Sequence, residues 1–236
     1  MQKTFDNKLV LVTGGAGALG QGVVSWYSDR GARVAVLDYS DEILASAFPT
    51  PSEMHCYEAC DLTNRDSCVE AVGRVVRQFG EVSIMANIAG GFLMGDPVHE
   101  TSDETWNFLF DLNTRSILNM SAAVVPAMIN QGQGKIINVA ARAALAGAAN
   151  MGAYTASKAA VMRLTESMAL ELRASGINVN AVMPSLIDTQ RNRSDMPDAD
   201  FSKWVTPAAI ASVVGFLSSE ESAAVHGACI PIDGLS

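Results

Sequence analysis

Tyr154 and Lys158 stand four residues apart in "AYTASKAA" (153–160). On a helix, positions i and i+4 share one face, so the phenol and the ammonium are neighbours. The chemistry such a pair suits is general acid–base catalysis at a reacting oxygen or nitrogen. A tyrosine at its ordinary pKa of about 10 is a reluctant participant near neutrality. An adjacent ammonium favours the phenolate and is expected to lower that pKa.

A second constellation lies near the amino terminus. "VTGGAGALG" (12–20) follows an apolar run and opens a helical pattern. A G-x-G-x-x-G string passes through Gly15, Gly17 and Gly20, and Gly14 adds a fourth glycine. Between a strand and a helix, the backbone N–H groups of such a turn and the helix amino terminus attract a pyrophosphate. The next apolar run ends in Asp38, whose carboxylate can accept hydrogen bonds from both hydroxyls of an adenosine ribose and repels a 2′-phosphate. Tyr39 and Ser40 follow it, with no adjoining lysine or arginine, which favours NAD(H) over NADP(H).

The elements that must hold these residues alternate. Apolar, β-rich runs occupy 8–13, 33–38, 54–59, 82–87, 135–140, 177–183 and 228–232, and helical patterns fill about 18–30, 64–79, 103–130, 153–174 and 206–219. Buried strands separated by amphipathic helices predict an α/β fold of the Rossmann type: one doubly wound parallel sheet of about seven strands with helices on both faces. The 236 residues fit one domain over 1–236, with no repeat or linker. The least patterned segment, 188–205, leaves a strand end and is expected to act as a lid over a substrate.

Hydrophobic residues make up 49% of the chain, charged residues 17%, and the net charge is −9. An acidic chain argues against a nucleic-acid partner, which needs a basic face. No apolar run approaches the length that crosses a bilayer, and the amino terminus does not read as a signal peptide. Cys56, Cys60, Cys68 and Cys229 form no C-x-x-C pair and have no histidines at ligand spacing, so no metal is expected. They read as buried or incidental thiols in a reducing, cytoplasmic setting. His55, His99 and His226 are isolated and receive no role.

Along nearly its whole length the chain resembles the short-chain dehydrogenase/reductase family. The family's T-G-x-x-x-G-x-G turn maps on Thr13, Gly14, Ala18 in place of the middle glycine, and Gly20, with Ala16, Gly17 and Leu19 inside it. "CDLTN" (60–64) resembles the segment whose Asp61 and Leu62 are implied to hold the adenine, next to Asp38 and Tyr39. "NIAGG" (87–91) implies cofactor contact by Asn87, Ala89 and Gly90, and Val139 lies on the expected cofactor wall. "MPSLIDT" (183–189) matches the segment around the nicotinamide, placing Pro184, Ser185, the Ile187 backbone and the Thr189 hydroxyl there. The resemblance makes Tyr154 the acid/base, with Lys158 reaching the nicotinamide ribose, and makes Asn113 the support of a water chain to the lysine. It also implies a homodimer or homotetramer through helices 103–130 and 153–174.

One departure matters. Where the family keeps a serine that polarises the substrate carbonyl, thirteen residues before the tyrosine, this chain has Ala141. Losing one such donor costs about 10²–10³ in rate when the substrate depends on it. A narrower resemblance to dihydropteridine reductase, which has the Y-x-x-x-K pair without the serine, is carried by "AARAALAG" (140–147) and "DTQRNRSDMPDADFSKW" (188–204). It implies a small carbonyl, quinonoid or dihydropterin-like substrate, with Ala141, Phe201 and Trp204 at the substrate end. Arg191 and Arg193 are expected to pair locally with Asp195, Asp198 or Asp200. The alternative is a catalytically weak NAD(H)-binding sensor or scaffold protein.

Overall fold

The computed structural model describes residues 4–50 and 52–235. Seven parallel strands form one sheet: β1 (Leu9–Thr13), β2 (Arg33–Asp38), β3 (His55–Ala59), β4 (Ile84–Asn87), β5 (Gly134–Val139), β6 (Ile177–Pro184) and β7 (Cys229–Ile232). Their spatial order is β3-β2-β1-β4-β5-β6-β7. β1 pairs with β2 on one side and β4 on the other, so the strand order reverses at β1. Ligands of open α/β sheets bind beyond the carboxyl ends of the strands at such a reversal.

The central strands are apolar throughout because both faces are covered; β1 and β6 are buried at every position. Two apolar clusters separate along the sheet faces. Leu9, Leu11, Met85, Ile136 and Val179 belong to one, and Val10, Val12, Val36, Ile137 and Val182 to the other. Neighbours along a strand therefore alternate between cores.

The helices are α1 (Ala18–Ser28), α2 (Asp41–Ala47), α3 (Arg65–Phe79), α4 (Asp103–Phe110), α5 (Ser116–Gln131), α6 (Gly152–Leu172), α7 (Gln190–Asp195) and α8 (Pro207–Leu217). Side chains of Ser40, Asn64, Ser102, Thr189 and Thr206 cap α2, α3, α4, α7 and α8. α1 differs: its N-cap is Gly17, which offers no side-chain oxygen to its first-turn N–H groups.

Three expectations are corrected. The single helix over 103–130 is divided by a π-helical turn, Asp111–Arg115, between α4 and α5. The 188–205 segment, the least patterned in the sequence, contains α7 and a 3₁₀ turn, Phe201–Lys203. α2 was not anticipated, because seven residues hold too few apolar positions to show a period.

Candidate active site

A cleft of about 1000 Å³ runs across the carboxyl ends of the strands. Its phosphate end is built by close backbone approach. Gly14 has φ +63°, and a Cβ there would lie 2.7 Å from the Ala89 Cα; a Cβ on Gly20 would overlap the Gly14 carbonyl oxygen. Only glycine lets this turn, the start of α1 and the segment after β4 come so near. Thr13 Oγ1 fixes the same junction, accepting from the N–H groups of Ile88 (3.1 Å) and Ala89 (3.3 Å). Gly14, Ala16, Gly17, Leu19 and Gly20 all face the cleft, beside the uncapped start of α1. Ala18, the departure from glycine, is exposed on the same wall, so its methyl meets the cleft and not the packed turn.

Asp38 closes β2 with its carboxylate oriented by backbone. Oδ2 accepts from the Ala16 N–H (2.9 Å) and Oδ1 from the Tyr39 N–H (2.8 Å). Each carboxylate oxygen has a further lone pair for a ligand hydroxyl. Asp38, Tyr39, Asp61 and Leu62 line this end of the cleft. Asp61 is held by a local turn in which it accepts from the Thr63 N–H (2.9 Å) and hydroxyl (2.7 Å).

At the other end α6 presents Tyr154 and Lys158 to the cleft, opposite Ala89, Gly90, Val139, Ala141, Pro184, Ser185, Ile187 and Thr189. Lys158 is 4% exposed and donates from Nζ to the Val139 carbonyl (2.8 Å). A Cβ on Gly90 would come within 2.9 Å of both Lys158 Nζ and Asn113 Oδ1, so a larger residue there would push on the ends of both side chains. Burial lowers the Lys158 ammonium to about 8 and raises the Tyr154 phenol to about 12. The expected lowering of Tyr154 by its neighbour is therefore not what the geometry produces: desolvation dominates both groups. The phenol is accordingly held in its protonated, donating form.

Asn113 faces away from the cleft. It lies in the π turn, 1% exposed, where Oδ1 accepts from the Gly91 N–H (2.8 Å) and Nδ2 donates to the Gly91 carbonyl (3.1 Å) and to Ser157 Oγ (3.0 Å). Ser157 Oγ in turn donates to the Tyr154 carbonyl (2.8 Å). The asparagine thus clamps the glycine turn to the first turns of α6. A π turn of this kind is a frequent feature of functional sites.

Asn87 also lies behind the cleft wall. Its Nδ2 donates to Asn138 Oδ1 (2.8 Å), and Asn138 Nδ2 donates to Thr165 Oγ1 (2.9 Å), cross-linking β4, β5 and α6. Of the three residues expected at the cofactor, Ala89 and Gly90 line the cleft and Asn87 does not.

Phe201 and Trp204 do not line the cleft in this structure. Trp204 is buried and tilts against Phe201 (4.8 Å between centroids), over which the Arg193 guanidinium sits at 4.9 Å. Arg193 forms a two-pronged ion pair with Asp188 (2.6 and 2.8 Å), not with the carboxylates that follow it. Arg191 approaches Asp195 (3.7 Å), as expected, and lines the cleft with Gln190. Thr189 accepts the Asn192 N–H (3.2 Å) as the cap of α7, so its own hydroxyl hydrogen is available to a ligand.

The substrate end has a wall the sequence did not disclose: Phe92, Phe108 and Leu112, together with the Ala141 methyl. Phe92 packs edge-on to Tyr154 with centroids 4.8 Å apart. Only its place directly after "NIAGG" signalled it, because the three side chains converge from a loop, α4 and the π turn.

The family model of the short chain dehydrogenases matches residues 8–200. The chain belongs to that family. It is 32% identical over 245 residues to a 3-oxoacyl-[acyl-carrier-protein] reductase of Thermotoga maritima, covering 98% of each. It is 36% identical over 201 residues to a sorbitol dehydrogenase of Cereibacter sphaeroides, covering 85% of this chain and 77% of that one. Among solved structures, an NAD⁺-bound xylitol dehydrogenase superposes with a TM-score of 0.91 at 28% identity, over 98% of this chain and 100% of the other. These relatives support a nicotinamide cofactor and oxidoreductase chemistry for the family fold.

Proposed function

We propose that the protein is an NAD(H)-dependent oxidoreductase that moves a hydride between nicotinamide and a small carbonyl, quinonoid or dihydropterin-like substrate. The observation that carries this reading is the Tyr154 phenol on the cleft wall, beside Lys158 and the Ala141 methyl. Nicotinamide bound in the cleft supplies the hydride chemistry. Glycine backbone from Gly14 to Gly20 and the open start of α1 would hold its pyrophosphate. Asp38 would take the adenosine ribose hydroxyls and disfavour a 2′-phosphate.

Tyr154 gives its proton to the reduced oxygen or nitrogen of the substrate, or takes it back in the oxidative direction. Lys158, fixed on Val139, positions the ribose and stands by to reload the proton. Ala141 offers no hydrogen bond to a carbonyl, and Phe92, Phe108 and Leu112 surround the same space with apolar surface. That lining suits a flat, electron-poor acceptor whose reduction depends on proton supply more than on polarisation. Relatives named as a reductase of an oxoacyl group and as a sorbitol dehydrogenase keep simple carbonyls and alcohols in view.

The test is NADH oxidation with a quinonoid dihydropterin, quinones and simple ketones, comparing the unmodified protein with Tyr154→Phe and Ala141→Ser. Turnover is expected with the conjugated acceptors, and Tyr154→Phe should lower it by about 10²-fold or more. Ala141→Ser should raise ketone reduction selectively. Fast ketone turnover without the serine would overturn the preference for conjugated acceptors and assign a simple carbonyl as substrate. NADH binding with no turnover on any acceptor would establish a sensor in place of an enzyme.

A further inference from the structure

Cys60 and Cys68 form a thiol pair that the proposed reaction does not use. Both are buried (2% and 0% exposed), and their Sγ atoms are 3.9 Å apart. Cys60 follows β3 and lines the adenosine end of the cleft, while Cys68 sits in the first turns of α3. The turn between them wraps the pair. Cys68 Sγ lies 3.7 Å from the Asp61 carbonyl and 3.8 Å from the Leu62 carbonyl, and Ser67 Oγ both accepts the Asp61 N–H (3.0 Å) and approaches Cys60 Sγ (4.0 Å).

The two thiols are chemically unequal. The sulfur–sulfur contact with Cys68 holds the Cys60 thiol below its ordinary value, whereas Cys68 is raised. Burial raises the other thiols, Cys56 to about 11 and Cys229 above its usual range. Thiolate character selects which cysteine an oxidant attacks. Cys60 on the cleft wall, with a second sulfur in contact behind it, is the arrangement of an attacking and a resolving cysteine.

We propose that Cys60 and Cys68 form a reversible disulfide that closes the adenosine end of the cleft. Closing 3.9 Å to a bond of about 2.05 Å draws the start of α3 and the end of β3 together. Asp61 and Leu62 lie between the two cysteines in the chain, with carbonyls 3.7 and 3.8 Å from Cys68 Sγ, so the bond is expected to shift them on the cleft wall. The gating part of this inference rests on the NAD(H) reading above; the bond itself does not.

With a peroxide as oxidant, the Cys60 thiolate attacks one oxygen and breaks the O–O bond. The sulfur becomes a sulfenic acid, and the hydroxide released leaves as water. Cys68 sulfur then attacks Cys60 sulfur; the S–S bond forms, the S–O bond breaks, and the hydroxyl departs as a second water with the Cys68 proton. The thiols lose two electrons and the peroxide gains them. A dithiol such as dithiothreitol reverses the change and becomes a cyclic disulfide itself.

The test treats the full-length protein with hydrogen peroxide, maps cysteine pairing by alkylation and peptide mass, and titrates NADH before and after. The expected result is a single Cys60–Cys68 bond, NADH affinity weakened by about tenfold or more, recovery with dithiothreitol, and slower oxidation when NADH is already bound. Cys68→Ala should stop at a sulfenic acid on Cys60, trapped by dimedone, and should keep its NADH affinity through the treatment. Cys60 and Cys68 both remaining free to alkylation after denaturation would overturn the proposal. A mapped bond with unchanged NADH affinity would overturn the gate. Failure of the reduced protein to bind NADH would instead sink the nucleotide reading, and the mapped bond would stand or fall separately.

Discussion

At the scale of single residues, burial sets the chemistry of the two central groups. Lys158 falls from an ordinary value of 10.5 to about 8 because its ammonium is desolvated. Between those values the unfolded chain holds a proton that the fold has released, so stability rises with pH across the window. The stability of the unmodified protein relative to Lys158→Met should therefore rise by about 2 kcal/mol from about pH 8 to about pH 10. Thermal melts at stepped pH measure it, and a flat difference would contradict the desolvation account. Tyr154 acts with the opposite sign at higher pH: its phenol is raised to about 12, so the fold loses stability as pH climbs above 10. At the other end of the cleft, Asp38 has its carboxylate pinned by two backbone N–H groups on the cleft wall. Asp38→Asn should shift the NADPH:NADH ratio of kcat/KM toward NADPH by about tenfold or more, since a like-charge contact costs several kcal/mol. Steady-state kinetics with both cofactors check this.

At the scale of elements, the π turn between α4 and α5 does what an unbroken helix would not. It places the Asn113 amide on both backbone groups of Gly91 and on Ser157 of α6. Truncation by Asn113→Ala leaves those buried groups unpaired, and the melting temperature should fall by the equivalent of about 1–3 kcal/mol. Activity should fall as well, because the same clamp locates Gly90 and the first turns of α6 that carry Tyr154. The helical period from 103 to 130 was legible in the sequence, but the insertion of one wider turn was not: periodicity averages over it. The same limit hid α7, whose Thr189 cap and Arg193–Asp188 pair are local devices with no apolar stripe.

At the scale of the whole molecule, helices α4, α5 and α6 carry exposed apolar side chains, among them Trp106, Leu118, Ile129 and Leu170. Apolar surface left open on these helices fits the subunit contact expected of the family. Sedimentation should show a dimer or tetramer, and Leu118→Glu or Ile129→Glu should shift it toward smaller species at equal concentration; a monomeric unmodified chain would contradict the expectation. Among the described residues no helix is long and apolar enough to cross a membrane.

The seven strands in chain order, the longer helical patterns between them, the glycine turn, Asp38 and the Tyr154–Lys158 pair were determined by the sequence, because each depends on residue type at short separation. Glycines at a strand-to-helix junction and an i, i+4 pair need no distant partner to be read. The tertiary structure alone decided what surrounds them. Asn113 turned inward because its buried amide finds partners in α6 and in the loop after β4, whereas Asn87 bonds β5 through Nδ2 alone and keeps a buried Oδ1 without a hydrogen-bond partner among the described residues. Phe92, Phe108 and Leu112 became one wall because three separate segments converge on Gly91 and Tyr154. Tyr154 and Lys158 took their pKa values from burial, which belongs to the folded chain as a whole and to no short stretch of it.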